Sequence, residues 1–438
     1  MIASSVANRK SVAIIGGGVA GLSCAERLAA SADVTVFDTG RLRPGGRCSS
    51  RQPNDVPKDS ERPKNFRSKP LLSTVRFDHA AQIITIPKWE ETDPASFVRQ
   101  LEQWETSGLV DRFPDTSVYT IRSHKNIKPM GGEMYYGTQG MGSIPESIVR
   151  SSGGSFTVNQ DVWVSPSNGV KFMPQQRQWR VQAGGKVLGV FDSLVIAHNG
   201  KCADRLMSKT PAKDLHSLLR VNFSPSVPSH GGKRMTLNSI YSLTVVLPRD
   251  NLLSRTLPSS FIAGFVQNHP SLRFITCQTR KYPSAVDETG DVEMETWTIL
   301  SSSTFAKKHK APQEFLSDET IETVTELLLS AVEEAVTGEN RNHLWGILDL
   351  RLQLWGAALP LNVWRSEQKP AGFVYDAEYK AGACGDWLLE ASIAGAWTSG
   401  RLLAEHMLSE AAPTSHGLQG DFYKSETVAK AGIAAIVS

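Results

Sequence analysis

The sequence predicts an α/β protein in which a discontinuous Rossmann-type dinucleotide-binding domain is interrupted by a mostly antiparallel β-sheet with helices. Three observations lead there. The stretch SVAIIGGGVAGLSCAERLAASADVTVFDTGRLRPGGR, from Ser11 to Arg47, runs through strand, glycine turn, helix and strand. A second apolar run of strand length, Phe191 to Ala197, follows much later. Near the C-terminus, Gly385-Asp386 precedes a run of small residues ending at Gly400. One sheet fed from three separated segments leaves room for a second domain between them.

In chain order, Val12-Ala13-Ile14-Ile15 is apolar throughout, the pattern of a parallel strand buried on both faces. Gly16, Gly18 and Gly21 follow at G-x-G-x-x-G spacing, with Ala20 among them. In such a motif the first glycine makes the tight turn, the second admits a pyrophosphate to the backbone, and the third lets helix and strand pack closely. Leu22, Ala25, Leu28 and Ala29 then recur on one helical face, and Val34–Phe37 forms a second strand ending on Asp38. An acid about 20 residues beyond the turn accepts hydrogen bonds from an adenosine ribose. The helix start offers free N–H groups to the phosphates.

From Arg51 to Ser73 the composition shifts to Pro, Ser, Lys, Arg and Asp, with Pro53, Pro57, Pro63 and Pro70. This predicts a mobile, solvated insertion, with a docking role as the alternative. Asp287–Asp291 reads as a loop between strands ending near Tyr282 and starting near Glu295. Ile321, Val324, Leu328 and Val332 mark an amphipathic helix over 318–336, with Ser317 as N-cap and Gly338 past its end. Residues 411–438 read as a tail in which Ala429 to Val437 forms a short helix.

A chain of 438 residues suggests two domains, and a net charge of +3 predicts neither nucleic-acid nor membrane binding. No apolar run reaches the ~18 residues of a membrane span. Only Met1 to Lys10 precede the first strand, too few for a secretory signal. The expected setting is intracellular: cytoplasmic or, had a presequence been removed, an organelle such as a plastid. Five scattered cysteines (Cys24, Cys48, Cys202, Cys277, Cys384) form no C-x-x-C pair, so reduced thiols and no metal are expected.

Asp38 alone does not choose between NAD and FAD. Gly45-Gly46-Arg47 does: with the preceding motif it resembles the N-terminal signature of the flavin-containing amine oxidase group. The resemblance implies bound FAD, with Arg47 helping to hold the pyrophosphate. Gly382–Asp386 and the helix opening with Ile393, Ala394 and Ala396 resemble that group's second flavin motif. There the aspartate binds the ribityl chain and the helix start lies beside the flavin N1–C2=O edge. Phe77-Asp78-His79-Ala80-Ala81-Gln82 resembles an F-D-x-G-A-Q element of renalase-like flavoproteins. Tyr136–Met141 resembles their G-x-(P/Q)-G-M turn before a helix from about Ile144, and Gln353–Pro360 sits where bacterial members carry H-R-W-R-Y-A. On this resemblance Gln82, Gly140, Met141, Gly385 and Asp386 join the cofactor residues.

The departures concern the substrate side. Ala80 replaces a glycine, Leu354, Gly356 and Ala357 replace the arginines and tyrosine, and Phe265–Asn268 keeps the family's asparagine without its arginine. These changes remove the cations that would hold a phosphate-bearing pyridine nucleotide. No lysine stands in a context similar to the water-binding lysine of polyamine and monoamine oxidases. His79 is the candidate general base, with a hydrogen-bonding place beside the cofactor as its alternative. Trp355 and Trp387 either frame a substrate or pack the core.

The sequence therefore predicts a discontinuous Rossmann-type FAD-binding domain (1–75, 135–205, 375–410) and an inserted substrate domain (76–134, 206–374). The resemblance implies a renalase-like oxidoreductase that passes hydride from a small reduced heterocycle, such as an isomer of NAD(P)H, to flavin. Two other readings remain open: an oxidase of the same fold acting on an amine, carotenoid or porphyrinogen, and a non-catalytic FAD-bound scaffold.

Overall fold

The strand Lys10–Ile15 takes the centre of a six-stranded sheet because its residues are apolar on both sides. Val12 and Ile14 face one core, and Ala13 and Ile15 face another. The computed structural model describes residues 9–55, 61–67, 71–87, 94–283, 294–341, 343–409 and 413–425. Parallel to Lys10–Ile15 lie Ala32–Phe37 on one side and Ser193–Ile196 on the other, in registers that set Ile15 beside Phe37 and Ile196. Phe156–Asn159 and Ala381–Ala383 extend the sheet in parallel, and Val374–Asp376 closes its edge antiparallel. One domain is thus drawn from both ends and the middle of the chain, as expected.

On one face the helices Val19–Leu28 and Ile393–Met407 pack side by side. They approach closely because Gly400 is small: a Cβ there would lie 2.1 Å from the Ala20 carbonyl oxygen. On the other face, the helices Lys201–Met207 and Lys213–Leu219 contribute Leu206, Met207, Leu215 and Leu219 to the core that Ala13 and Ile15 face.

The inserted domain is a seven-stranded sheet ordered Asp349–Trp355, Ile240–Pro248, Met294–Ser301, Leu272–Cys277, Ala263–Val266, Val118–Ser123, Asn126–Pro129. Every adjacent pair is antiparallel except Ala263–Val266 with Val118–Ser123. The helix Asp318–Thr337 buries Ile321, Val324, Leu328 and Val332 in this domain's core. The Ser317 side chain accepts from Thr320 N at 3.2 Å, and Gly338 takes φ 80° at the other end.

Three expectations need correction. The strand before the 284–293 segment ends at Cys277, and Gln278–Lys281 is helical; the expected loop at Asp287–Asp291 lies outside the described residues. The insertion Arg51–Ser73 is packed rather than solvated where it is described. Arg62 is 5 % exposed and meets Asp349 at 2.5 Å, Arg351 pairs with Glu61, and Leu72 is buried. The charges that suggested solvent find counterions nearly 290 residues away, which composition cannot show. The C-terminal segment is also more than a tail: Gly420–Lys424 pairs antiparallel with Asn362–Ser366, and Phe422 packs on Trp364. The helix expected at Ala429–Val437 lies outside the described residues.

Candidate dinucleotide-binding site

The site begins where the strand Lys10–Ile15 ends. Gly16 turns the chain at φ +117°, and a Cβ on it would lie 2.9 Å from the backbone of Ala197. A Cβ on Gly21 would lie 2.0 Å from the Gly16 carbonyl oxygen, so this glycine is required by helix–turn packing. Gly18 differs. Its φ of −75° and ψ of 177° suit any residue, and a Cβ there would meet no atom within 4 Å. Nothing in the fold itself requires glycine at 18; its open side lines a cavity of about 260 Å³. No side chain caps the helix that starts at Val19.

The second glycine pair docks onto the first. Gly45 N donates to Gly17 O at 2.7 Å, and Gly18 bridges to Gly45. Gly45 and Gly46 adopt φ of +124° and +56°. This loop delivers Arg47 to the cavity, where Nη1 donates to Asp386 Oδ2 at 2.7 Å and to Ala358 O at 2.8 Å. Burial alone would pull the Arg47 guanidinium down, but the facing Asp386 carboxylate holds it above its ordinary range. The two motifs, nearly 340 residues apart, therefore meet in one ion pair.

Asp38 closes the other end. Gly17 N donates to its Oδ1 at 3.3 Å, while Oδ2 is buried with no partner among the described residues. Burial pushes this carboxyl up, against the N–H groups of Gly17, Gly40 and Thr39. A buried acceptor without a donor costs about 1–3 kcal/mol, and Asp38 is one of the residues lining the cavity. A ligand hydroxyl would satisfy it.

Gly16, Gly18, Ala20, Asp38, Gly45, Gly46, Arg47, Gly385, Asp386, Ile393 and Ala396 all line this cavity, with Trp355 and Trp387. Ile393 and Ala396 sit three residues apart on one face of a helix whose first turn is capped by Ser392, which accepts from Gly395 N at 2.9 Å. Ala394 lies in the same core as Ile393 but does not line the cavity. Gln82, Gly140, Met141 and His79 are likewise not brought to the cavity. Gln82 is buried, donating to Asp78 O at 2.8 Å and accepting from Gln278 at 3.0 Å. Met141 N donates to Asp78 Oδ1 at 2.9 Å, and Gly140 is small because Ser50 stands against it. This segment serves Asp78, whose carboxylate also takes Lys281 Nζ at 2.7 Å and the Tyr282 hydroxyl.

His79 is buried, and burial followed by Arg51 and Arg351 drives its pKa well below the usual range, so the ring is neutral. Its Nε2 meets Ser49 Oγ at 3.1 Å, its Nδ1 has no partner among the described residues, and its ring lies 5.4 Å from Trp355. It stands behind Trp355 as a support, one step removed from the place of a general base. Residues that sequence reasoning missed include Thr39, His198, Asn199, Gln313 and Ala357. His198 and Asn199 come one residue after the strand Ser193–Ile196, at the carboxyl ends of parallel strands where such folds hold ligands. That signal was available. Gln313 arrives on a loop of the inserted domain and left none.

Among the described residues no group of side chains could hold a metal, and no helix is long and apolar enough to cross a membrane.

Residues 14–92 match the family model of an NAD(P)-binding Rossmann-like domain. No curated protein's sequence matches that of the chain. Among solved structures, a CLA-producing fatty acid isomerase from P. acnes is similar at a TM-score of 0.53 and 10 % identity, covering 91 % of this chain and 99 % of that one. A redesigned putrescine oxidase gives 0.47 at 12 % identity, covering 90 % and 98 %. Reduced UDP-galactopyranose mutase gives 0.49 at 10 % identity, covering 91 % and 94 %. The isomerase likeness establishes a shared fold over nearly the whole of both chains.

Proposed function

We propose that the protein is an FAD-dependent oxidoreductase that oxidises a small reduced heterocycle of the NAD(P)H-isomer kind. The observation that supports FAD is the cradle itself: a glycine at 18 that the fold does not require, beside a buried Asp38 oxygen without a hydrogen-bond donor among the described residues. Asp38 would accept from the adenosine ribose, and Arg47 with the Val19–Leu28 helix start would face the pyrophosphate. Asp386 would lie beside the ribityl chain while keeping Arg47 in place. When bound, FAD supplies a two-electron acceptor for hydride.

The chain's own part is to bind, orient and exclude water. Trp355 gives the cavity a flat apolar wall, fixed by its Nε1 donating to His79 O at 3.3 Å. The start of the Ile393–Met407 helix reaches the cavity through Ile393 and Ala396, and its positive end favours negative charge there. Hydride donation by a dihydropyridine leaves no proton for a base to remove, which suits a neutral, recessed His79. Anaerobic mixing with reduced nicotinamides and their isomers tests the substrate: one of them should bleach the flavin. Flavin reduced by dithionite but by none of them would favour the scaffold reading.

A further inference from the structure

A second cavity of about 630 Å³ runs from the Asp38 end of the dinucleotide site into the gap against the inserted domain. Its two halves differ. One half is Asp38, Thr39 and Val162–Val164, where the proposed function places adenosine. The other half carries Lys201, Lys307 and Lys310, none of which forms an ion pair among the described residues. The acids lining the cavity are Asp38 and Glu314, and the three lysines are solvent-exposed. Phe223 lines the same half, half-exposed, with Lys201 Nζ 5.5 Å from its ring centre.

We propose that this lysine-lined half is a binding site for a second small molecule, an anion carried on a flat ring, additional to the dinucleotide. The cations supply attraction, and Phe223 supplies a face for stacking. His198 and Asn199 line both this cavity and the dinucleotide cavity. His198 Nδ1 lies 3.0 Å from Ile15 O and therefore carries the proton, which leaves Nε2 as an acceptor; burial holds the ring neutral. Gln313, Asn199 and Ala357 line both cavities, so a ligand here would share walls with the cofactor. This chemistry is met by a nucleoside diphosphate or by an aryl carboxylate. The proposal rests on the dinucleotide reading only for what fills the Asp38 half.

The test is calorimetric titration of the flavin-loaded protein with ADP, with 2-naphthoate and with inorganic phosphate, with flavin content read from the visible spectrum of each sample. ADP, 2-naphthoate or both should saturate one site without releasing flavin, and phosphate alone should bind far more weakly. ADP alone identifies a nucleotide anion, and naphthoate alone an aryl acid. Lys307→Ala/Lys310→Ala should weaken that binding about tenfold with flavin content unchanged, whereas Lys209→Ala should not. Raising ionic strength from about 0.01 M to about 1 M, which shortens the screening length from ~30 Å to ~3 Å, should weaken it likewise. Equal affinity in the double variant, phosphate binding as tightly as ADP, no binding at all, or ADP binding only by expelling flavin would each overturn the proposal. A protein that takes up no FAD would sink the proposed function, while the lysine dependence of ADP binding would still decide this site.

Discussion

Two buried aspartates, one at the glycine turn and one at the edge of the inserted sheet, are left in opposite states by the fold. Asp349 is fully buried, and both its oxygens are met: Oδ1 by Arg62 at 2.5 Å and Leu350 N at 2.8 Å, Oδ2 by Leu72 N at 2.9 Å. Asp38 is nearly as buried, yet its Oδ2 has no hydrogen-bond partner among the described residues, and the residue lines a cavity. Burial pushes both carboxyls up. The fold meets both oxygens of Asp349 and only one of Asp38 among the described residues. The same contrast separates Gly21, fixed by a protein backbone, from Gly18, fixed by none.

The sharpest way to break this comparison is the glycine pair. Gly21→Val should unfold the domain or destabilise it by about 3 kcal/mol or more, because its Cβ would enter the Gly16 carbonyl. Gly18→Val should leave the melting temperature of the flavin-free protein almost unchanged and abolish FAD binding. Thermal denaturation and flavin titration read both, and equal destabilisation of the two variants would erase the distinction. Next in size is Arg62→Ala, which leaves Asp349 buried without its cation and should cost about 3 kcal/mol in denaturant unfolding, with FAD affinity unmoved. A near-neutral result would show that the insertion is solvated after all.

Asp38→Asn should move in the other direction. Because burial raises the folded-state pKa of Asp38, its contribution to stability rises as pH falls through that raised pKa and is fully gained below the unfolded value near 4. The flavin-free variant should therefore lose this acid-side gain and be more stable by about 1 kcal/mol at neutral pH. It should also bind FAD at least about tenfold less tightly. The smallest effect belongs to His79. Its folded pKa is depressed, so stability falls as pH drops below about 6.5, when the unfolded state takes up a proton that the buried ring refuses. His79→Gln should flatten that arm of the pH profile and leave flavin affinity within about twofold.

What was legible in the sequence was local. The turn Gly16–Gly21, the strand ending at Asp38 and the capped helix Asp318–Thr337 lie where their spacing predicts. Their geometry depends on residues a few positions apart. On the facing wall Trp355 was a candidate in the sequence and does line the cavity, whereas Gln313, on a loop of the inserted domain, left no signal. The F-D-x-G-A-Q-like element shows the limit of motif transfer. His79, Gln82 and Met141 sit around Asp78, and only their burial shows that they lie behind the cavity wall instead of in it. Ala394 and Ala396 teach the same lesson within one helix: both pack on the same core, and only Ala396 also lines the cavity.

The central claim is that the open acid and the open glycine are there for FAD. The visible spectrum of the purified protein tests it most directly, followed by acid precipitation. The account predicts a flavin spectrum, with FAD released intact into the supernatant. A colourless protein that FAD cannot reconstitute, or one that yields NAD instead, would contradict it.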